Sequence, residues 1–426
     1  MEKQINAPRL RFPEFAGEWE RESLGEIFTF RSTNSFSRDN LNYDNGEVKN
    51  VHYGDIHTKF QTLFDVTKET VPFINPEMSI DRISNDNYCQ KGDLLLADAS
   101  EDLNDVGKSI EIVNVDNQKL LSGLHTILAR PHKNVFSIGF NGYLFKSNNI
   151  RTQIQKESQG SKVLSISTTR LSNISLNFPK KEEQTKIANF LTAVDDKLTQ
   201  LKKKKSLLEQ YKKGVMQKLF SQELRFKDEN GNDWEDWEEM KFSKHIRLYR
   251  GSSPRPISKY ITDSKKGVNW IKIGDTKNTK NYVIEQVSEK ITHEGAKHSR
   301  KVEVGELILA NSMSFGKTYQ LSISGCIYDG WFVLREYENH FDKSFLMHLL
   351  NSEYLQKQYK TLSTGGVVQN ISSGIVYSTN LIRPTFPEQI KIANFLSAID
   401  EKINHCGVQI EKMEGWKKGL LQQMFV

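Results

Sequence analysis

One segment is written twice in this chain, and few architectures accommodate that. Residues 183–220 open Glu183-Gln184-Thr185-Lys186-Ile187-Ala188-Asn189-Phe190-Leu191, and residues 388–425 open Glu388-Gln389-Ile390-Lys391-Ile392-Ala393-Asn394-Phe395-Leu396. The displacement is constant from the first pair (183 to 388) to the last (220 to 425), and 17 of the 38 aligned residues are identical. Self-similarity of this kind marks a duplicated structural unit. Shorter echoes extend it upstream in the same order. Leu10-Arg11-Phe12 followed by Trp19 returns as Leu224-Arg225-Phe226 followed by Trp234. Gly54-Asp55 returns as Gly274-Asp275, and Gly92-Asp93-Leu94-Leu95-Leu96-Ala97 as Gly305-Glu306-Leu307-Ile308-Leu309-Ala310. Between these anchors the copies diverge, so each unit is a variable body followed by a near-constant tail.

The tails have the pattern of long helices. Apolar residues recur at Ile187, Leu191, Val194, Leu198, Leu201, Leu208, Val215 and Leu219 in the first, and at Ile392, Leu396, Ile399, Ile403, Cys406, Ile410, Met413, Leu420 and Met424 in the second. Alternating steps of four and three form a coiled-coil seam, broken in the first copy by Lys205 and Lys212. Pro179 and Pro387 stand at the leads, where proline suits a helix start. At 1.5 Å per residue, about 40 residues make a helix of about 60 Å. So long an amphipathic helix would leave its seam in water, so the two are expected to pair, with Ile187, Leu191, Val194, Leu198 and Leu201 against Ile392, Leu396, Ile399, Ile403 and Ile410. A two-fold relation between the units makes that pairing antiparallel, with a body at each end. The run Lys202-Lys203-Lys204-Lys205 reads as a solvated or partner-facing side, because the second copy has Gly407-Val408-Gln409-Ile410 there.

The bodies mix short β-rich runs with one late helix each. Strands are expected at 94–97, 110–115, 268–273, 306–310 and 331–334, and helices at 144–157 and 345–361. Each body also carries two polar loops. The early loop runs Phe30-Arg31-Ser32-Thr33-Asn34-Ser35-Phe36-Ser37-Arg38 in one copy and Arg250-Gly251-Ser252-Ser253-Pro254-Arg255-Pro256-Ile257-Ser258-Lys259 in the other. The late loop follows the helix: Gln159-Gly160-Ser161-Lys162, and Ser363-Thr364-Gly365-Gly366 running on to Gln369-Asn370. Arginine and asparagine among small residues suit phosphate and base-edge contacts, although any surface loop of a basic protein shares that composition.

Composition narrows the class without deciding it. With 37% hydrophobic and 26% charged residues, 426 positions suffice for two or three cored domains. No segment nears the apolar length of a membrane span, and residues 1–8 lack the apolar core of a signal peptide. Cys89, Cys326 and Cys406 are odd in number and far apart, which argues against a disulfide framework or a zinc site. These features fit a cytoplasmic protein. A net charge of +6 is compatible with nucleic acid but does not establish it.

Catalytic constellations fail on spacing. His293 and His298 are five apart rather than the four of a zinc-protease helix. Ser314-Phe315-Gly316-Lys317-Thr318 has the tail of a phosphate loop, but Asn311 replaces its first glycine. Asp44 near Glu47 and Lys49 has no counterpart in the other copy, and no Asn-Pro-Pro-aromatic methyltransferase element is present. The chain reads as a binding protein without an active site or metal.

Phe178-Pro179 with Glu183-Gln184 to Leu191, and Phe386-Pro387-Glu388-Gln389 to Leu396, resemble the leads of the specificity subunit of type I restriction-modification enzymes. The resemblance spans both copies in order, although Lys180-Lys181-Glu182 lengthens the first lead. It implies an α+β protein with pseudo-two-fold symmetry: two α/β target-recognition domains (1–180 and 223–385) joined by two antiparallel coiled-coil spacer helices (181–222 and 386–426). It further implies a non-catalytic reader of a bipartite, asymmetric site in double-stranded DNA, docked to two methyltransferase subunits. A restricting complex adds two restriction/translocase subunits. S-adenosylmethionine, ATP and Mg would sit on those partners, with no cofactor in this chain. DNA contacts are then expected from Arg31, Ser32, Asn34, Ser35, Arg38 and Lys162 in the first body, and from Arg250, Ser252, Ser253, Arg255, Lys259, Gln369 and Asn370 in the second. Two other readings stay open on residues alone: a coiled-coil scaffold with protein- or glycan-binding bodies, and a free-standing DNA-binding repressor.

Overall fold

The structure is a computed structural model describing residues 6–279, 281–312, 316–363 and 370–426. The chain divides into two compact units, Met1–Gln200 with Ile410–Val426, and Leu201–Gln409. Each unit therefore has a body, one half of the first long helix and one half of the second.

In the first body a five-stranded sheet runs in the order Phe28–Arg31, Thr126–Pro131, Leu94–Ala97, Ser109–Asn114, Leu63–Asp65. In the second the order is Arg247–Arg250, Trp331–Arg335, Leu307–Ala310, Thr318–Leu321, Val283–Ile284, which is the same topology. Neighbours are antiparallel except at the last pair. The central strands are buried along their whole length, which explains why the Leu-Leu-Leu-Ala and Leu-Ile-Leu-Ala runs do not alternate with polar residues. Their side chains alternate between two cores. Leu94 and Leu96 join Phe140, Tyr143, Ile187 and Leu191 on the helical side, whereas Leu95 and Ala97 join Val51, Ile56 and Ile110 on the other. Leu307 and Leu309, against Ile308 and Ala310, divide the same way. Beyond the second core lies a four-stranded sheet whose constant element is a parallel pair, Lys119–Ser122 with Val48–Val51 and Gly325–Ile327 with Val268–Ile271.

The Gly-Asp/Glu echo is a structural anchor. Gly92 and Gly305 have φ of 94° and 89°, a conformation that glycine adopts without steric cost. Asp93 then receives two hydrogen bonds from Arg130 (2.7 and 2.8 Å), and Glu306 one from Arg335 (2.6 Å), each arginine ending or nearly ending the neighbouring strand.

Each late helix is two helices. Ser147 and Ser352 adopt extended backbone and cap new helices at Asn148–Glu157 and Glu353–Leu362, after Phe140–Leu144 and Lys343–Asn351. Apolar spacing continues across both breaks, so periodicity alone misses them. The expected strands at 94–97, 110–115, 268–273, 306–310 and 331–334 correspond to observed strands with ends shifted by up to two residues.

The long helices span Lys181–Phe220 and Phe386–Gln423. Pro387 is the second residue of its helix, whereas Pro179 lies two residues before the other. In the first unit Ile187, Leu191 and Val194 share a core with Leu420, Met424 and Phe425. In the second, Val215, Leu219 and Phe220 share one with Ile392, Leu396, Ile399 and Ile403. Within each unit the start of one long helix thus packs beside the end of the other, which is antiparallel pairing. Leu198 and Leu201 are buried, but Ile410 is only half-buried. The seam lysine Lys212 pairs with Asp400 at 2.6 Å, and its repeat counterpart Lys417 with Asp195 at 2.5 Å. Lys202, Lys203 and Lys204 are exposed.

The leads explain the most repetitive residues. Gln184 is wholly buried; it accepts from Ser137 N and donates to the Val135 and Pro179 carbonyls. Gln389 does the same with Asp342 N and the His340 and Pro384 carbonyls. Glu183 and Glu388, also buried, pair with Arg11 and Arg225 of the Leu-Arg-Phe echoes at 2.7 and 3.0 Å. Phe12 and Phe226 then meet Phe190 and Phe395 edge to face at 5.7 and 5.2 Å. One alignment changes. Trp19 and Trp237, not Trp234, each directly precede the strand that pairs with the lead strand (Glu20–Ser23 with Ser175–Phe178, Glu238–Lys241 with Asn380–Arg383).

Candidate nucleic-acid interface

The early and late loops of each body converge on one backbone junction. In the first body Asp98 N donates to His125 O and Ile166 N donates to Asp98 O, tying the late loop to the end of the central strand. In the second, Asn311 N donates to Gly330 O and Ile371 N to Asn311 O. The junction is therefore identical in backbone and different in side chains.

In the first body the early loop reaches this junction through the short helix Tyr53–Thr58. Arg38 grips Asp55 with two hydrogen bonds (2.8 and 3.0 Å), and Lys59 adds a third contact at 2.9 Å. Burial alone would raise the Asp55 carboxyl, but these hydrogen bonds outweigh it and hold the group below the usual carboxylate range. His57, on the same helix, lies 3.2 Å from the Ala99 carbonyl, and Ala99–Ser100 pairs with Leu164–Ser165 beside the late loop. His125 approaches Asp98 at 3.3 Å; burial raises the Asp98 carboxyl and His125 partly offsets this. Tyr53 contacts the rings of His52, His57 and His125 (centroids 4.6, 6.0 and 5.4 Å), and Tyr43 receives a hydrogen bond from Lys59. Burial, followed by the Arg38 charge, lowers the pKa of His52, which favours a neutral ring.

In the second body the junction is built around Asp329. Its carbonyl accepts from Arg250 Nε (3.2 Å) and Asn311 Nδ2 (2.8 Å), and its carboxylate accepts from Ser253 (2.8 Å). Ser252 donates its hydroxyl to His298 O and its N–H to Ile327 O, at the end of the parallel pair.

Among the residues expected to touch DNA, Ser32, Ser35, Arg38, Lys162, Arg250, Ser252, Arg255, Lys259 and Asn370 are exposed, and Arg31 and Ser253 are half-buried. Asn34 is half-buried and its amide is committed to the fold. It donates to Asn50 Oδ1 (2.6 Å) and Ser122 O (3.0 Å) and accepts from Phe36 N, so it shapes the loop. Gln369 lies outside the described residues, as do Ser314 and Phe315 of the phosphate-loop-like run. Sequence reasoning missed Asp98, His125, His52, Tyr53, His57, Lys59, Asn311 and Asp329. The interleaved run His52-Tyr53-Gly54-Asp55-Ile56-His57 was the one legible signal among them. No group of His, Cys, Asp and Glu fit to hold a metal occurs among the described residues, and all three cysteines are buried thiols.

A frame used twice, with unlike polar groups at equivalent junctions, defines a two-headed recognition protein. The type I restriction modification DNA specificity domain matches the chain twice, over residues 16–210 and 235–411. The chain belongs to that family and is a DNA specificity subunit of a type I restriction-modification system, the non-catalytic component. This sets aside the scaffold and repressor readings. A putative type I restriction enzyme MjaX specificity subunit of Methanocaldococcus jannaschii is 27% identical over 344 residues, covering 78% of this chain and 76% of the relative. The MjaVIII specificity subunit of the same organism is 26% identical over 294 residues, covering 66% and 68%. In fold, the chain is similar to the crystal structure of the type I S subunit from M. genitalium (TM-score 0.58, 15% identity, 99% of each chain). It is equally similar to a chain from a study of type I assembly and conformational transition (TM-score 0.59, 14% identity, 96% and 97%).

Proposed function

We propose that each body reads one half of a bipartite, asymmetric double-stranded DNA site, and that the paired long helices set the gap and dock two methyltransferase subunits. A restricting complex would add two restriction/translocase subunits, with S-adenosylmethionine, ATP and Mg held by the partners in the cytoplasm. The observation that carries this reading is the junction with constant backbone and divergent side chains: Asp98 with His125 against Asn311 with Asp329. An identical frame fixes where each head meets a duplex, and unlike polar groups make the two half-sites differ. Exposed Arg38, Lys59, Lys162, Arg250, Arg255 and Lys259 would supply phosphate contacts, which position a reader without specifying sequence. Ser32, Ser35, Ser252 and Asn370, with His125, would contact base edges.

The test is co-expression with the cognate methyltransferase subunit in a methylation-free host, followed by sequencing for N6-methyladenine. A bipartite motif with a fixed gap is expected; a stable complex that methylates nothing overturns the reading. Arg255→Ala should weaken recognition of the second half-site only, and equal loss at both would refute two independent heads.

A further inference from the structure

The second unit contains a cavity whose lining includes none of the residues assigned above to DNA contacts. It has a volume of 820 Å³, within the range of small-molecule sites, and lies between the end of the first long helix and the body, where the carbonyl of its lining residue Lys317 accepts from Ala310 N, next to Asn311. Its acidic residues are already paired: Glu209 with Lys205, and Glu353 with Lys357. Lys212 in its wall is likewise satisfied by Asp400. Three further lining lysines, Lys213, Lys317 and Lys360, form no ion pair with any described residue. Lys213 and Lys360 are exposed at the rim, whereas Lys317 is half-buried, and a partly buried ammonium is unfavourable unless an anion or water offsets it.

Comparison with the first unit sharpens this. Lys108 and Lys317 are equivalent: each follows a glycine of positive φ (64° and 68°) and precedes the strand beside the central one. Lys108 has Asp105 at 3.3 Å and donates to the His57 carbonyl at 2.6 Å. Lys317 has neither and instead lies 5.9 Å from the centre of the Tyr282 ring. Burial, with the charge of Lys360 added, lowers the pKa of its ammonium. Beside these lysines lies a buried polar side chain, His348. It is 4% exposed, lines the cavity, and its Nε2 has no hydrogen-bond partner among the described residues. Burial pushes its pKa down to about 3, so the ring is neutral.

We propose that this cavity binds a phosphate ester, with Lys213, Lys317 and Lys360 holding the phosphate oxygens beside the neutral His348 ring. Three ammonium donors suit a multiply charged phosphate better than a single carboxylate. The same chemistry is offered by a free nucleotide diphosphate or by a phosphate of the DNA backbone, and the experiment separates them.

The purified full-length chain is acylated at lysine with an amine-reactive reagent, alone, with millimolar ADP, and with duplex DNA, and the modification of each lysine is read by mass spectrometry. ADP protection of Lys317 and Lys360, with exposed Lys266 unprotected, supports the nucleotide source, and this arm stands whether or not the bodies read DNA. Protection by duplex alone supports the backbone source. Unchanged reactivity in both arms overturns the proposal, as does equal protection of Lys266. Lys317→Gln could perturb packing, so Lys360→Gln is the paired variant; each lost ammonium should weaken ADP or duplex binding by on the order of tenfold. Retained affinity in a folded Lys360→Gln protein also refutes it.

Discussion

Replacing Gln389 by leucine keeps the side-chain volume and removes three hydrogen bonds at once. The amide accepts from Asp342 N at 2.7 Å and donates to the His340 and Pro384 carbonyls at 3.1 and 2.9 Å, with the residue wholly buried. At about 1 kcal/mol net per bond, the loss is about 3 kcal/mol, and more if the buried groups find no water. Hydrogen exchange read by mass spectrometry is the assay, because it resolves opening locally. Peptides covering 340–350 should exchange on the order of 100-fold faster, while peptides covering 137–145 in the other unit should not change. The duplication supplies the mirror experiment, Gln184→Leu, in which the two peptides exchange roles. A change below about threefold at 340–350, or equal acceleration at both sites, would show that the glutamine does not pin each body to its long helix.

Three further outcomes follow from the same geometry. Lys212→Met should cost about 3 kcal/mol in the second unit, because it strips the partner from Asp400, a carboxyl with 13% of its side chain exposed whose pKa burial already raises. Adding Asp400→Leu should restore most of that loss in urea denaturation. Glu111 accepts from Gly139 N and Gly142 N while burial raises its carboxyl to about 7. Because its folded pKa lies above its unfolded value, its stabilising contribution is complete below about pH 4.5 and is lost as pH rises through 7, a fall of roughly 3 kcal/mol. Urea midpoints of the first unit should drop from pH 5 to pH 8, and Glu111→Gln, matching Gln320 at the equivalent register, should flatten that slope. Phe425→Ala should destabilise the first unit by about 3–5 kcal/mol through the cavity left beside Trp19 and Phe140, detectable as accelerated exchange there.

The long helices and the paired seam were legible because 3.6-residue periodicity repeats over ten turns and is written twice. The Leu-Leu-Leu-Ala and Leu-Ile-Leu-Ala strands were legible because a fully buried strand carries no polar residue. Breaks at Ser147 and Ser352 were not, since one capping hydroxyl leaves the apolar spacing intact on both sides. The recognition junctions were also hidden. They depend on backbone hydrogen bonds such as Asp98 N to His125 O and Ile166 N to Asp98 O, which join segments separated by 27 and 68 positions in the chain. Asn34 shows the converse: its residue type suits a base contact, yet the neighbouring Asn50 and Ser122 claim its amide.

The first unit is discontinuous in the chain, whereas the second is one uninterrupted stretch, Leu201–Gln409. Phe425 packs on Trp19 and Phe140, and the Val426 carbonyl accepts from Asn149, so the earlier-made body is finished by residues made after the whole of the second unit. During synthesis the order of emergence and the order of completion are therefore opposite. The second body can close its core once residue 409 has left the ribosome, while the first waits with Ile187, Leu191 and Val194 uncovered until 420–425 arrive. Contacts spanning some 400 residues are slow to form and keep apolar surface open to aggregation in the meantime. A chain cut between residues 410 and 420 would thus damage the earlier-made head and leave its later-made twin intact.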